Sequence, residues 1–174
     1  VTTSDLRRAV PDDAPALARV HVTSWSETYQ GLMPDGFLAA MTGKARRERR
    51  QIMWRQLLET QQQDVLVALA GGEVVGFVSG GLTSFTGYDA ELLTLYVLRS
   101  AQGVGLGRAL VAGLAQVLAT RGHRSMMLWV LDTNPTRAFY EHLGGLMIAE
   151  KTEVVLGGEL REVAYGWAEL GTLL

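Results

Sequence analysis

The chain has 174 residues, of which 48% are hydrophobic and 20% charged, a globular composition with length for one ordinary core and unlike a disordered or disulfide-stapled chain. Sixteen Lys and Arg against eighteen Asp and Glu leave a net charge of -2, which recommends no nucleic acid and no membrane as partner and directs attention to small molecules. The lack of Cys removes disulfides, thiolate nucleophiles and acyl-cysteine intermediates, and with no basic-then-apolar leader it predicts a cytoplasmic protein.

No repeat or long polar linker divides the sequence, so a single domain over residues 4–170 is expected. Asp12 or Asp13 can cap a first helix in which Ala14, Leu17, Ala18, His21 and Trp25 share a face, and Gly31 and Pro34 break it. A second helix over Lys44–Thr60 carries Met53, Trp54, Leu57 and Leu58 as its apolar stripe, with Arg46, Arg47, Arg49 and Arg50 mostly turned away. Glu48 interrupts that basic run and no aromatics interleave it, so a solvated face is favoured over a nucleic-acid site, with selection of an anionic acceptor left open. Val65–Ala70 and Val74–Gly80 form an antiparallel hairpin about Gly71-Gly72. Glu91–Val97 is a further strand, in which strict alternation puts Glu91, Leu93, Leu95 and Val97 on one face and Leu92, Thr94 and Tyr96 on the other.

Leu106, Leu110, Leu114, Val117 and Leu118 then repeat at helical spacing up to Gly122, and a strand at Met126–Val130 completes a parallel crossover unit. Asn134 and Pro135 start a short helix that Gly144 stops. Thr152–Leu156 and Glu162–Trp167 flank Gly157-Gly158 as a second hairpin. The fold class is α+β: a mixed, mostly antiparallel central sheet with helices on both faces and one parallel β-α-β crossover.

Gln102-Gly103-Val104-Gly105-Leu106-Gly107-Arg108 lies between a strand and an amphipathic helix. Converging backbone N–H groups at a helix N-terminus suit an anion such as a pyrophosphate, while three glycines equally serve tight packing of helix on sheet. The spacing departs from a dinucleotide fingerprint, because the sixth position from Gly103 is Arg108, and Gly43-Lys44-Ala45 does not complete a nucleoside-triphosphate loop. His21, His123 and His142 lack close ligand spacing, so no metal is expected.

Gln102-x-x-Gly105-x-Gly107 after Leu95-Tyr96-Val97 resembles the acyl-CoA signature of the GNAT superfamily of N-acetyltransferases, and Asn134 to Gly145 resembles the helix that packs beside the pantetheine arm in one branch of those enzymes. The element order from Leu6 to Trp167 matches as well, with Val104 standing where many members carry a basic residue and Arg99 where a Pro often follows the strand. The resemblance implies acetyl-CoA as co-substrate and an amine of a small molecule or peptide as acceptor, attacking directly in a ternary complex. It places Leu95, Tyr96, Val97, Gln102, Gly103, Val104, Gly105, Leu106, Gly107, Arg108, Asn134, Arg137 and Tyr140 on the CoA side, with Arg99, Arg108 or Arg137 as the phosphate cation. Asn134 reads equally as a helix cap.

An alkyl ammonium of pKa about 10.4 is neutral in roughly one part in 10³ at pH 7, so a base is needed. The resemblance points to Glu91, acting through water, with Glu27, Asp89 and His21 as rivals. It also points to backbone N–H groups near Leu95 and Tyr96 for the oxyanion and to Tyr140 for the leaving thiolate, although a Tyr beside Phe139 also suits a core. A phenol of pKa about 10 donating fully to a thiol of pKa about 8.5 runs uphill by roughly 2 kcal/mol, which favours a hydrogen-bond donor over complete transfer. Trp25, Glu27 and Tyr29 are candidates for the acceptor side, Trp25 being readable as core. A homodimer is expected by resemblance, for which an edge strand at Glu162–Trp167 could pair between copies. The other class of function is a catalytically idle acyl-CoA-binding sensor or scaffold.

Overall fold

The computed structural model describes residues 5–31, 35–155 and 158–174. Its elements are β1 Asp5–Arg8, α1 Ala14–Tyr29, α2 Asp35–Thr42, α3 Lys44–Thr60, β2 Asp64–Ala70, β3 Glu73–Leu82, β4 Ala90–Val97, α4 Leu106–Thr120, β5 Met126–Leu131, α5 Arg137–His142, β6 Leu146–Val155 and β7 Gly158–Trp167. Seven strands form one sheet in the order β1-β2-β3-β4-β5-β7-β6, and only the β4–β5 pairing is parallel.

The sheet divides the core in two. On one face the leucine stripe of α4, Leu106, Leu110, Leu114 and Leu118, packs with Leu66, Val78, Leu92 and Leu128, and Tyr140, Tyr165 and Trp167 extend that layer beyond α4. On the other face α1 and α3 bring Leu17, Val20, Trp54 and Leu58 against Val65, Val67, Val74 and Phe77. These helices cover β2 to β4 and leave the same face of β5, β7 and β6 outside that cluster. An amphipathic stripe buries one stretch of sheet, and a sheet wider than its helices keeps an open platform.

The structure corrects several sequence expectations. Strict alternation fails in β4, where Ser79 pairs with Thr94 but Gly80 pairs with Leu92, so Leu93 is a bulge. Ala90, Leu92, Leu95 and Val97 consequently pack with α4, and Glu91 joins Thr94 and Tyr96 on the α1 face. β7 lies between β5 and β6, so Glu162–Trp167 is no edge and β6 takes that place. Part of the second hairpin turn, Leu156-Gly157, falls outside the described residues. β1 and α2 had no periodic signal, since one is four residues of Asp-Leu-Arg-Arg and the other follows the expected break. Asp13 does not cap α1 through its side chain; its carboxylate pairs with Arg7 at 2.7 Å and accepts the Val10 N–H at 2.8 Å.

Arg50 also departs from the solvated face expected for α3. Its guanidinium reaches 2.6 Å from a ring nitrogen of His21, which is buried and stacks on Tyr96 at a centroid distance of 4.4 Å. Burial, then Arg50 and Arg46, push the His21 pKa down to about 3. An unfolded His takes its proton near pH 6.5, so between these values the unfolded state binds more protons and stability must fall as the pH drops. Denaturation of the wild type should therefore lose up to about 1.4 kcal/mol per pH unit from this residue between pH 6 and pH 4, and His21→Phe should flatten the slope by that amount. An unchanged slope in the variant would show that another group sets the acid response.

Candidate functional site

Strands β4 and β5 pair only where Ala90 meets Met126 and Glu91 meets Met127, and beyond that point they diverge. The Leu98 N–H donates to Val75 across β3, and backbone direction alternates along a strand, so the amides of Tyr96 and Thr94 also face β3. Those of Leu95 and Val97 therefore face the cleft. The Val97 carbonyl confirms the direction, because it accepts the Gln102 side-chain N–H at 2.8 Å from the Gly-rich loop. Of the two amides expected to serve an oxyanion, Tyr96 is corrected: its N–H belongs to the sheet, and Val97 joins Leu95 at the open edge.

Two cavities meet at this edge. The first, of about 400 Å³, is lined by Ser24, Thr28, Leu95, Tyr96, Val97, Gln102, Gly103, Gly105, Leu106, Gly107, Arg108, Thr136, Phe139 and Tyr140. The second, of about 360 Å³, includes Trp25, Tyr29, Leu95, Tyr96, Trp129, Asn134, Tyr140, Glu153 and Glu162 in its wall. Thr28, Leu95, Tyr96, Thr136 and Tyr140 line both and mark the junction.

The glycines of the first cavity differ in function. Gly103 and Gly105 have φ of +79° and +85°, and a Cβ on either would meet open space, so conformation is what requires glycine there. Gly105 is the N-cap of α4, and the loop amides lie where the helix dipole is positive. At Gly107 a Cβ would come 3.3 Å from the Phe139 ring, so packing of α4 on α5 sets this position. Val104 is 74% exposed and belongs to neither cavity wall. Ser24 lies in the wall of the first cavity, and its hydroxyl is buried without a hydrogen-bond partner. An apolar-walled channel with an unpaired hydroxyl, free strand amides and a cationic, glycine-rich end suits an elongated ligand with amide groups and a phosphorylated terminus.

Of the three candidate phosphate cations, Arg108 alone lines this cavity, and among the described residues it has no ion-pair partner. Arg137 instead pairs with Asp132 and donates to the Tyr165 hydroxyl at 3.2 Å. The Arg99 side chain donates to the Glu27 carbonyl, and its backbone N–H to the Glu27 carboxylate at 2.9 Å. Glu27, expected near the acceptor, is thus a clasp between α1 and the end of β4, outside both cavities.

Asn134 lines the second cavity. Its side-chain N–H donates to the Tyr29 hydroxyl at 3.0 Å, and its oxygen accepts from the Thr136 amide at 2.9 Å and hydroxyl at 2.7 Å. The capping reading describes this turn, with α5 itself starting only at Arg137. Burial, with Tyr96 nearby, pushes the Tyr29 pKa up to about 12. Trp25 is half-buried and donates to the Tyr96 hydroxyl at 2.9 Å, a cavity wall in place of a core position.

The rival bases are engaged elsewhere. His21 is buried behind Tyr96, and Asp89 accepts the Arg124 amide at 2.7 Å at the entry to β5. Glu91 stands on the α1 face, where its carboxylate accepts from Thr83 at 3.0 Å beside the last β4–β5 pairing; four residues of strand, about 13 Å, separate it from Leu95. Tyr140 is buried, and burial, then the neighbouring Tyr96 and Tyr29, push its pKa well above the usual phenol value.

Residues 24–145 match the Acetyltransferase (GNAT) family. The chain belongs to the GNAT acetyltransferases. It is 34% identical over 171 residues to an uncharacterized N-acetyltransferase of Bacillus subtilis, YuaI, covering 97% of this chain and 95% of that one. Two solved structures share its fold at a TM-score of 0.70. One is YncA, a putative acetyltransferase of Salmonella typhimurium with acetyl-CoA, at 22% identity over 97% of this chain and 95% of that chain. The other is PaiA N-acetyltransferase of Thermoplasma acidophilum in complex with coenzyme A, at 19% identity over 93% and 98%.

Within this GNAT fold, sequence reasoning missed Ser24, Thr28, Trp129, Glu153 and Glu162. The serine and threonine are one helical turn apart on α1, a spacing visible in sequence. The others needed the pairing of β5, β7 and β6. Asn134→Ala should lower the unfolding free energy by about 1–2 kcal/mol, through loss of the turn cap and the bond to Tyr29, measured by chemical denaturation. A neutral effect would mean that Thr136 and Tyr29 find other partners.

Proposed function

We propose that this GNAT protein transfers the acetyl group of acetyl-CoA to an amine of a small molecule or peptide, the two substrates meeting where the cavities join. The observation that carries the reading is the open edge of β4 between the two cavities, with Tyr140 on the wall common to both. In this reading the first cavity takes the CoA. Pantetheine follows the unpaired edge at Leu95 and Val97, Ser24 supplies a further hydroxyl, and the pyrophosphate rests on the Gly103–Gly107 turn with Arg108 beside it. The second cavity takes the amine.

The neutral amine attacks the thioester carbonyl, the C–S bond breaks, and the strand amides at the cleft stabilise the developing oxyanion. Glu91, on the acceptor face but too far for contact, receives the ammonium proton through water before attack, and the proton the nitrogen loses as the intermediate collapses passes through water to the departing thiolate. Tyr140 stays a neutral hydrogen-bond donor to the departing sulfur, because its raised pKa enlarges the uphill gap to full transfer. Tyr140→Phe should lower kcat by about 10- to 10³-fold with little change in acetyl-CoA affinity, read by steady-state kinetics and calorimetry; full turnover in the variant would remove Tyr140 from the reaction.

The first experiment is thermal unfolding with acetyl-CoA, CoA, ATP and NAD, followed by thiol release on an amine panel. A ligand at about 100 times its Kd adds roughly 2.7 kcal/mol, or about 5–10 °C at this size. Shifts with acetyl-CoA and CoA alone, with thiol release, are expected. Shifts without release on any amine would favour the idle acyl-CoA-binding module. Absence of any CoA shift would overturn the assignment of the first cavity.

A further inference from the structure

The acceptor cavity ends on a charged group that acetyl transfer does not use. In the pairing of β5, β7 and β6, Leu131, Glu162 and Lys151 form one row across the strands and Leu160 and Glu153 the next on the same face, while Trp129 pairs with Ala164. The Lys151 ammonium lies 3.1 Å from a carboxylate oxygen of Glu153, 3.1 Å from one of Glu162 and 4.5 Å above the centroid of the Trp129 ring. Trp129, Glu153 and Glu162 line the cavity whose other end is Leu95, Tyr96 and Tyr140. Two carboxylates share one ammonium, so the group keeps a surplus negative charge beside an aromatic face. The neighbouring charges do not alter that balance: Arg161 pairs with Glu150, and Arg137 with Asp132. Arg46, Arg47 and Arg49 of α3 are absent from the cavity wall, which argues against an anionic acceptor.

A cation held by aromatic face and carboxylates is the arrangement that selects ammonium groups. Here the chain's own lysine takes the place. Lys151 is more than a third exposed, and ion pairs reached by water are weak individually, so an incoming ammonium can exchange with it. We propose that the acceptor is a small molecule bearing two ammonium groups, one acetylated at the cleft and the other held by Trp129, Glu153 and Glu162 in place of Lys151. The strand order sets β5 between β4 and β7, so Glu162 lies two strand spacings, about 10 Å, from the strand that lines the cleft, close to the extended N–N length of an α,ω-diamine with about seven methylenes. This inference rests on the acetyltransferase reading of the same cavity.

The test is calorimetric binding of 1,7-diaminoheptane and heptylamine to the CoA-loaded protein, in the wild type, Glu162→Gln and Lys151→Met, with thiol release measured on both amines. The wild type should bind the diamine at least about tenfold more tightly than the monoamine. Glu162→Gln should remove most of that preference, and Lys151→Met should increase it severalfold by removing the competing ammonium. A purely structural cluster would weaken binding in both variants. Equal affinity for the two amines in the wild type, or a lost preference in Lys151→Met, overturns the proposal. Equal affinity with thiol release leaves the acetyltransferase reading standing, whereas tight diamine binding without release on any amine rejects that reading and keeps the cation site.

Discussion

The constraint on which the site depends is the parting of β4 from β5 after a single stretch of parallel pairing. A strand inside a sheet normally has both rows of backbone groups satisfied, but here the row of Leu95 and Val97 faces a cleft. Burying those groups without partners is costly, so the neighbouring chain compensates locally: Gln102 reaches back to the Val97 carbonyl. The remaining amides are left for a ligand that presents carbonyl oxygens. A sheet that closed fully would have no such row, and a loop in this place would not hold it straight.

The bulge at Leu93 makes the same strand serve two layers. Without it, Glu91 would share a face with Leu95 and Val97 and point at α4, where a carboxylate cannot be solvated. The extra residue turns Leu95 and Val97 to the α4 layer while Glu91, Thr94 and Tyr96 remain on the α1 side. Tyr96 then becomes the partition between the cavities, its ring stacked on His21 and its hydroxyl bonded to Trp25. The neutral, buried His21 and the inward Arg50 support that partition from behind. Part of the charge of α3 is thus structural, although the chain reads as a basic helix face.

Sequence reading succeeded where the physics is local. Helical spacing located α4, the glycine pair located the first hairpin, and the β-α-β order located the parallel crossover, because each rests on a period or a turn conformation that neighbouring residues alone determine. It failed at the bulge, since an inserted residue in a run of Leu, Leu, Thr and Leu leaves no compositional trace. It did not reach the further partners of Asn134 and Arg137, which are remote in sequence. Tyr29 is 105 residues away from Asn134, and Tyr165 is 28 away from Arg137. The platform residues Trp129, Glu153 and Glu162 are three strands' worth of unrelated sequence that only the order β5-β7-β6 assembles.

The uneven coverage of the sheet also bears on specificity. α1 and α3 close over β2 to β4, where the chemistry of any ligand is constrained by backbone geometry common to the family fold. Among the described residues, the cluster formed with α1 and α3 takes in no residue of β5, β7 or β6, and the face there is made by side chains. Backbone amides read the invariant part of a co-substrate because any sequence supplies them, whereas a platform of side chains can change without disturbing the core. Lys151, Glu153 and Glu162 cross-pair on that platform at the edge of the sheet, where replacing one costs little in packing. In the proposed function, affinity for the acyl donor and choice of acceptor would therefore rest on separable parts of one sheet, which share only the stretch of β4 that lines both cavities.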